Sequence, residues 1–219
     1  METDAPPPVP VNRAPVLALW ATVVAERLGY PPETALTLGR AVCSASARTK
    51  ARRLGMMNDA QKAVGRRAAA AGLKPGVQIV RLLGREVPVL AAADGTLRAD
   101  DNGKPASAKS VQTYIARAFG DRLAEVREAM EAVAASLPPK ELTRIGFRLY
   151  ERFRPDVPVG AEGWGAKGGL RIERIRSAVG WGGRGFSLKE SLASASSGPD
   201  ALLKWNPLRG PTLTSATVL

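Results

Sequence analysis

The sequence predicts a mainly α-helical domain with one small β-hairpin, an α+β fold flanked by N- and C-terminal tails without regular structure. Three observations predict it. Apolar residues recur at three- and four-residue spacing through most of residues 14–154, the period that turns one face of a helix towards a core. Only residues 77–99 alternate apolar and polar, around a two-residue turn signal, Asp94-Gly95. Proline crowds the first residues, and serine, alanine and glycine the last, compositions that bury little apolar surface.

The elements follow in order. Five prolines fall among the first fifteen residues, and Pro6-Pro7-Pro8 favours an extended arm over residues 1–12. A helix runs from Pro15 to Leu28 and stops at Gly29. It is apolar nearly all round and so belongs in the core with Trp20. Pro32 and Glu33 suit the first turn of a second helix, with Ala35, Leu38, Val42 and Ala45 on its inner face and Gly55 as its cap. Cys43 sits beside that face as an inert packed thiol. A third helix is predicted over Asn58 to Ala71, stopped by Gly72. In the hairpin segment Val77 and Ile79 alternate with polar neighbours, and Pro88 between Val87 and Val89 predicts an edge strand. "DDNGKPASAKS" reads as a loop in which Ser107 or Ser110 caps the next helix. Val111, Ile115 and Phe119 line that helix. After a break at Gly120-Asp121, Leu123, Val126, Met130, Val133 and Leu137 line another, ended by Pro138-Pro139. Leu142, Ile145, Leu149 and Phe153 mark a final helix to Arg154, closing a core domain of residues 13–155. Residues 156–186 then form a basic, glycine- and tryptophan-rich segment with one short helix, and residues 187–219 a disordered tail.

Composition bounds the chemistry. Among 219 residues, 32 Lys and Arg against 20 Asp and Glu give a net charge of +12, a surface that attracts polyanions. One cysteine and no histidine exclude an intramolecular disulfide, a Ser-His-Asp or Cys-His nucleophile and a His-ligated metal. No metal or cofactor is expected. Glu125, Glu128 and Glu131 interleave with Arg122 and Arg127 on one helix, as exposed ion pairs do, so no catalytic residue is assigned. The longest apolar stretch, Ala14 to Ala25, is twelve residues, too short to span a bilayer. A cytoplasmic protein is expected.

"GWGAKG" (Gly163–Gly168) and "GWGGRG" (Gly180–Gly185) both fit the letters of the dinucleotide fingerprint. That fingerprint needs a strand before it and a helix after it within a βαβ unit, and "RPDVPV" is a poor strand. The repeated residues suit a different use. Trp164 with Lys167, and Trp181 with Arg184, pair a stacking surface with a cation, and Arg171 and Arg174 lie between them. The alternative is that both tryptophans fold onto the core.

Positive charge concentrates elsewhere. From Arg40 to Lys74, nine cations face one acid, Asp59. Arg40, Arg48, Lys50, Arg52, Arg53, Lys62, Arg66 and Arg67 are the candidate phosphate contacts, presented by two neighbouring helices. Lys109, Gln112, Thr113 and Arg117 fit a base-reading helix, although the same spacing suits a packed one.

"LWATVVAERLGYPPETALTLGRAVCSASARTKARRLG" (Leu19–Gly55) and "FRPDVPVGAEGWGAKG" (Phe153–Gly168) resemble a group of short uncharacterised bacterial proteins. The resemblance covers residues 14–170 and implies one bacterial cytoplasmic domain. It carries no activity or binding residue across. The sequence thus points to a non-catalytic nucleic-acid-binding accessory protein, favouring DNA over RNA, in the bacterial cytoplasm and associated with the nucleoid. The alternative is an adaptor domain docking on an acidic partner protein.

Overall fold

The computed structural model describes residues 7–55, 76–158 and 166–179. The chain divides into two units, Met1–Arg184 and Gly185–Leu219, and every described residue belongs to the first. The predicted helix 58–71 and the predicted tail 187–219 lie outside the described residues.

The centre is α1 (Arg13–Arg27), in which every residue from Pro15 to Ala25 is buried. Its end is a Schellman turn. Gly29, at φ +93, donates its N–H to Glu26 O, and Tyr30 donates to Ala25 O. The chain reverses there into α2 (Pro32–Arg53), which packs along α1. The two helices close up where α2 has Gly39, beside Ala18 and Thr22 of α1.

Four strands form an antiparallel meander, β2 (Gln78–Leu82), β3 (Arg85–Ala91), β4 (Leu97–Asp101) and β5 (Lys104–Pro105), neighbours in that order. This is larger than the expected hairpin, and its turns differ. Leu83 (φ 50) and Gly84 (φ 71) make the tight turn between β2 and β3, and Asn102 (φ 57) with Gly103 (φ 89) make the one between β4 and β5, both with the two positive φ angles of a type I′ turn. Asp94-Gly95 lies instead within the longer connection between β3 and β4, closed by Ala92 N–H to Thr96 O. Leu83 has no glycine-like freedom, yet it is buried, its tip filling the space over Gly146.

Pro88 is not on an edge strand. It stands on β3, between β2 and β4, opposite Ile79. Counting back from the closing Leu82–Arg85 pair, the Ile79–Pro88 pair is a non-hydrogen-bonded one. The missing N–H therefore points towards β4, whose pairing with β3 begins only at Val89. α2 covers the outer edge of β4: Thr34 Oγ1 donates to Leu97 O at 2.6 Å, and Ala99 N–H donates to Thr37 Oγ1 at 3.1 Å.

Three further helices complete the bundle, α3 (Ala108–Phe119), α4 (Leu123–Ala135) and α5 (Pro139–Phe153). Ser107 caps α3 through Ser110 N–H, and a 3-10 turn at Gly120–Arg122 joins α3 to α4. Val111, Ile115, Phe119, Val126, Met130, Val133, Leu137, Leu142, Ile145, Leu149 and Phe153 are buried as their spacing requires, and Leu123 is half-buried.

The expected arm of residues 1–12 is corrected over its last third. β1 (Val9–Asn12) pairs antiparallel with β6 (Lys167–Leu170), and Val9 and Val11 point into the core around an outward Pro10. A period of two was present but short, and prolines obscured it. α6 (Ile172–Arg176) follows β6 directly. Leu170, Ile172, Ile175 and Ala178 are core residues, so this part of the 156–186 segment belongs to the main core.

Candidate nucleic-acid interface

Arg40, Arg48, Lys50, Arg52 and Arg53 are all exposed on α2, and the last three favourably oppose the partial negative charge of its C-terminal end. At about 100° per residue, Arg40, Arg48 and Arg52 occupy one sector of the helix, and Lys50 with Arg53 another. The two sectors meet different surroundings. Arg40 and Arg48 border a groove that also contains Glu86, Asp100 and Asp101, and the Arg40 guanidinium lies over the Tyr114 ring at 5.0 Å. That side is nearly balanced in charge.

Lys50 and Arg53 border a cleft of about 450 Å³ between α2, the start of β3 and the two ends where α1 begins and α5 finishes. Arg13, Arg85 and Arg154 complete a ring of five cations, and Glu151 is the one carboxylate among the described lining residues. The half-buried Phe147 supplies its apolar wall, backed by the buried Leu17 and Tyr150. The cations are held at their bases. Arg85 Nε donates to Ser46 Oγ at 3.2 Å, with its guanidinium over the Phe147 ring at 5.3 Å. Arg13 Nε donates to Pro155 O at 3.3 Å, and Tyr150 O–H donates to Arg13 O at 3.1 Å. Arg53 and Arg154 form no ion pair among the described residues. A concave, cation-lined wall of this kind carries a positive potential that attracts anions. The described residues contain no cluster of carboxylates or cysteine able to hold a metal ion.

Burial pushes the Tyr150 phenol well above the ordinary tyrosine range, the Arg13 and Arg154 charges opposing it weakly. The unfolded chain ionises this tyrosine near pH 10, while the folded chain keeps it protonated. Its contribution to stability is therefore complete below pH about 10 and is lost as the pH rises beyond it. Tyr150→Phe is expected to flatten the alkaline decline of the melting temperature while lowering stability at neutral pH by about 1 kcal/mol for the lost hydrogen bond. Thermal melts of both proteins between neutral pH and pH about 11 check this.

The remaining expected contacts do not join the cleft. Lys167 is exposed on β6 opposite Asn12, and Arg171 is exposed just before α6. Arg174 is committed elsewhere: its guanidinium pairs with Asp156 at 2.5 Å and donates to Arg152 O at 2.6 Å, tying α6 to the end of α5. Lys62, Arg66, Arg67, Trp164, Trp181 and Arg184 lie outside the described residues. Of the two glycine motifs, Gly168 is described, and it lies within β6 where any Cβ would meet Asp156 O at 2.6 Å. Its glycine permits a close strand approach and precedes no helix directly.

Lys109, Gln112, Thr113 and Arg117 are exposed on α3, but the element before α3 is a strand, so no helix-turn-helix is formed there. Arg122 pairs with Glu125 at 2.7 Å and Arg127 with Glu131 at 2.7 Å, as their spacing suggests. Burial raises the Glu26 carboxyl above its usual range, opposed by Arg127 at 2.5 Å. Burial likewise raises the Cys43 thiol, which keeps it protonated and unreactive.

Arg13, Arg85 and Arg154 were missed by sequence reasoning because they come from three distant segments, each at the end of an element. No helix of the described residues is long and apolar enough to cross a membrane. No family model, curated protein or solved structure matches the chain.

Proposed function

We propose that this chain binds nucleic acid, DNA in preference to RNA, through the C-terminal half of α2 and the cleft beside it, as a non-catalytic cytoplasmic accessory protein. One observation supports the reading above the others: Arg13, Arg85 and Arg154 converge on Lys50 and Arg53, five cations against one carboxylate. Such a concentration of charge attracts a phosphate backbone and releases its counterions. Arg48 and Arg52 extend the surface along the helix for further phosphates.

The test is fluorescence anisotropy of labelled duplex and single strands, with the full chain and with Arg48→Gln/Arg52→Gln/Arg53→Gln. Glutamine is chosen because glutamate there would oppose the helix dipole and weaken α2 itself. The variant is expected to bind roughly tenfold or more weakly at low salt, with a thermal melt lowered only slightly by the loss of the helix-end charges. Unchanged binding by the variant would overturn the proposal. Weak binding of nucleic acid by the unaltered chain, together with tight binding of an acidic protein, would favour an adaptor role.

A further inference from the structure

We infer that the cleft between α2 and α5 is a pocket for one nucleotide-sized group ending in a terminal phosphate, either a strand terminus or a free nucleotide. The inference rests on the nucleic-acid reading and narrows it. A cavity of about 450 Å³ falls within the range of small-molecule pockets, roughly 300–1,000 Å³. That volume suits a single nucleotide-sized group better than a length of duplex. A terminal phosphate carries more charge than a backbone diester, and this is where the cleft differs from the rest of the surface. Arg53 and Arg154 reach it from opposite walls with no carboxylate partner among the described residues. Arg85, oriented by Ser46 and Phe147, presents a fixed guanidinium whose fork suits two phosphate oxygens. The half-buried Phe147 ring, backed by the buried Leu17 and Tyr150, gives a base or sugar an apolar surface to cover. The neighbouring groove at Arg40 and Arg48 has Glu86, Asp100 and Asp101 among its walls, so it offers such a group no comparable excess of positive charge.

The full chain is titrated with a short single strand bearing a 5′-phosphate, the same strand with a 5′-hydroxyl, and ADP. The 5′-phosphate strand, or ADP, is expected to bind roughly tenfold more tightly than the 5′-hydroxyl strand. Arg53→Gln/Arg154→Gln should abolish that preference, while Arg40→Gln should keep it. A preference for the phosphorylated strand without ADP binding identifies a strand terminus, and ADP binding without it a free nucleotide. Equal binding of both strands with no binding of ADP would overturn the pocket while leaving the nucleic-acid function standing. A preference that survives Arg53→Gln/Arg154→Gln would overturn it too. ADP binding with no strand binding would keep the pocket and overturn the nucleic-acid function. No binding of any probe would overturn both.

Discussion

Trp20→Ala is expected to lower the stability of the folded chain by about 3–5 kcal/mol, the usual range for removing a large buried aromatic. Three losses combine. Trp20 is fully buried, so its removal opens a cavity at the middle of α1, where α2, α4 and α5 all pack. Its ring meets Phe153 edge to face at a centroid distance of 5.3 Å, and Phe153 in turn meets Tyr150. Its indole N–H donates to Gly146 O at 2.7 Å. Alanine leaves that carbonyl without this donor and leaves Phe153 without its partner. Trp20→Phe keeps most of the volume and loses the hydrogen bond, so a smaller loss of about 1–3 kcal/mol is expected. Denaturant unfolding of the three proteins separates the cavity from the hydrogen bond. Equal losses in both variants would mean that the hydrogen bond, not the packing, carries the effect.

Gly39→Val is the second large effect, a loss of about 3 kcal/mol or more, at the upper end of overpacked cores. A Cβ at this position overlaps Thr22 Oγ1 and comes within 2.5 Å of Ala18 O. The threonine side chain is itself pinned, since its hydroxyl donates to Ala18 O at 2.9 Å. Main chain on α1 cannot step aside without moving the helix, so α1 and α2 must separate along their shared length. Helix propensity favours the substitution, valine being better than glycine in a helix by a few tenths of a kcal/mol, and the clash is much larger. Gly39→Ala should show the same sign with a smaller loss. Urea midpoints of the two variants check this, and a stabilised Gly39→Ala would show that the helices are free to spread.

The helical part of the fold was legible in the sequence because the spacing that predicts a helix also creates its buried face. Val111, Ile115 and Phe119 are one example, and Leu142 to Phe153 another. The sheet was less legible. Leu83-Gly84 turns tightly although leucine disfavours positive φ, and burial of Leu83 against α5 offsets that local preference. Pro88 signals an edge strand when considered alone. Only the register shows that its absent N–H faces a gap in the β4 ladder. β1 was hidden because its partner, β6, is more than 150 residues away along the chain, and period-two patterning over four residues is weak evidence. The candidate site was half legible. Arg48, Lys50, Arg52 and Arg53 stand out as a run, but their neighbours in space come from the first turn of α1, the start of β3 and the end of α5. Charge at those positions has no sequence pattern, since only the packing of α1, α5 and β3 around α2 brings them together.

The most direct test of the central claim is the salt dependence of single-strand and duplex binding by the full chain, measured alongside Arg48→Gln/Arg52→Gln/Arg53→Gln. A phosphate-binding surface gives a steep, linear fall of log K with log salt, with a slope of roughly −0.7 to −0.9 per phosphate neutralised. The unaltered chain is expected to show a slope several units steep, and the variant one shallower by about 2–3 units. A shallow slope in the unaltered chain, or the same slope in both proteins, would contradict the assignment of this face to nucleic acid.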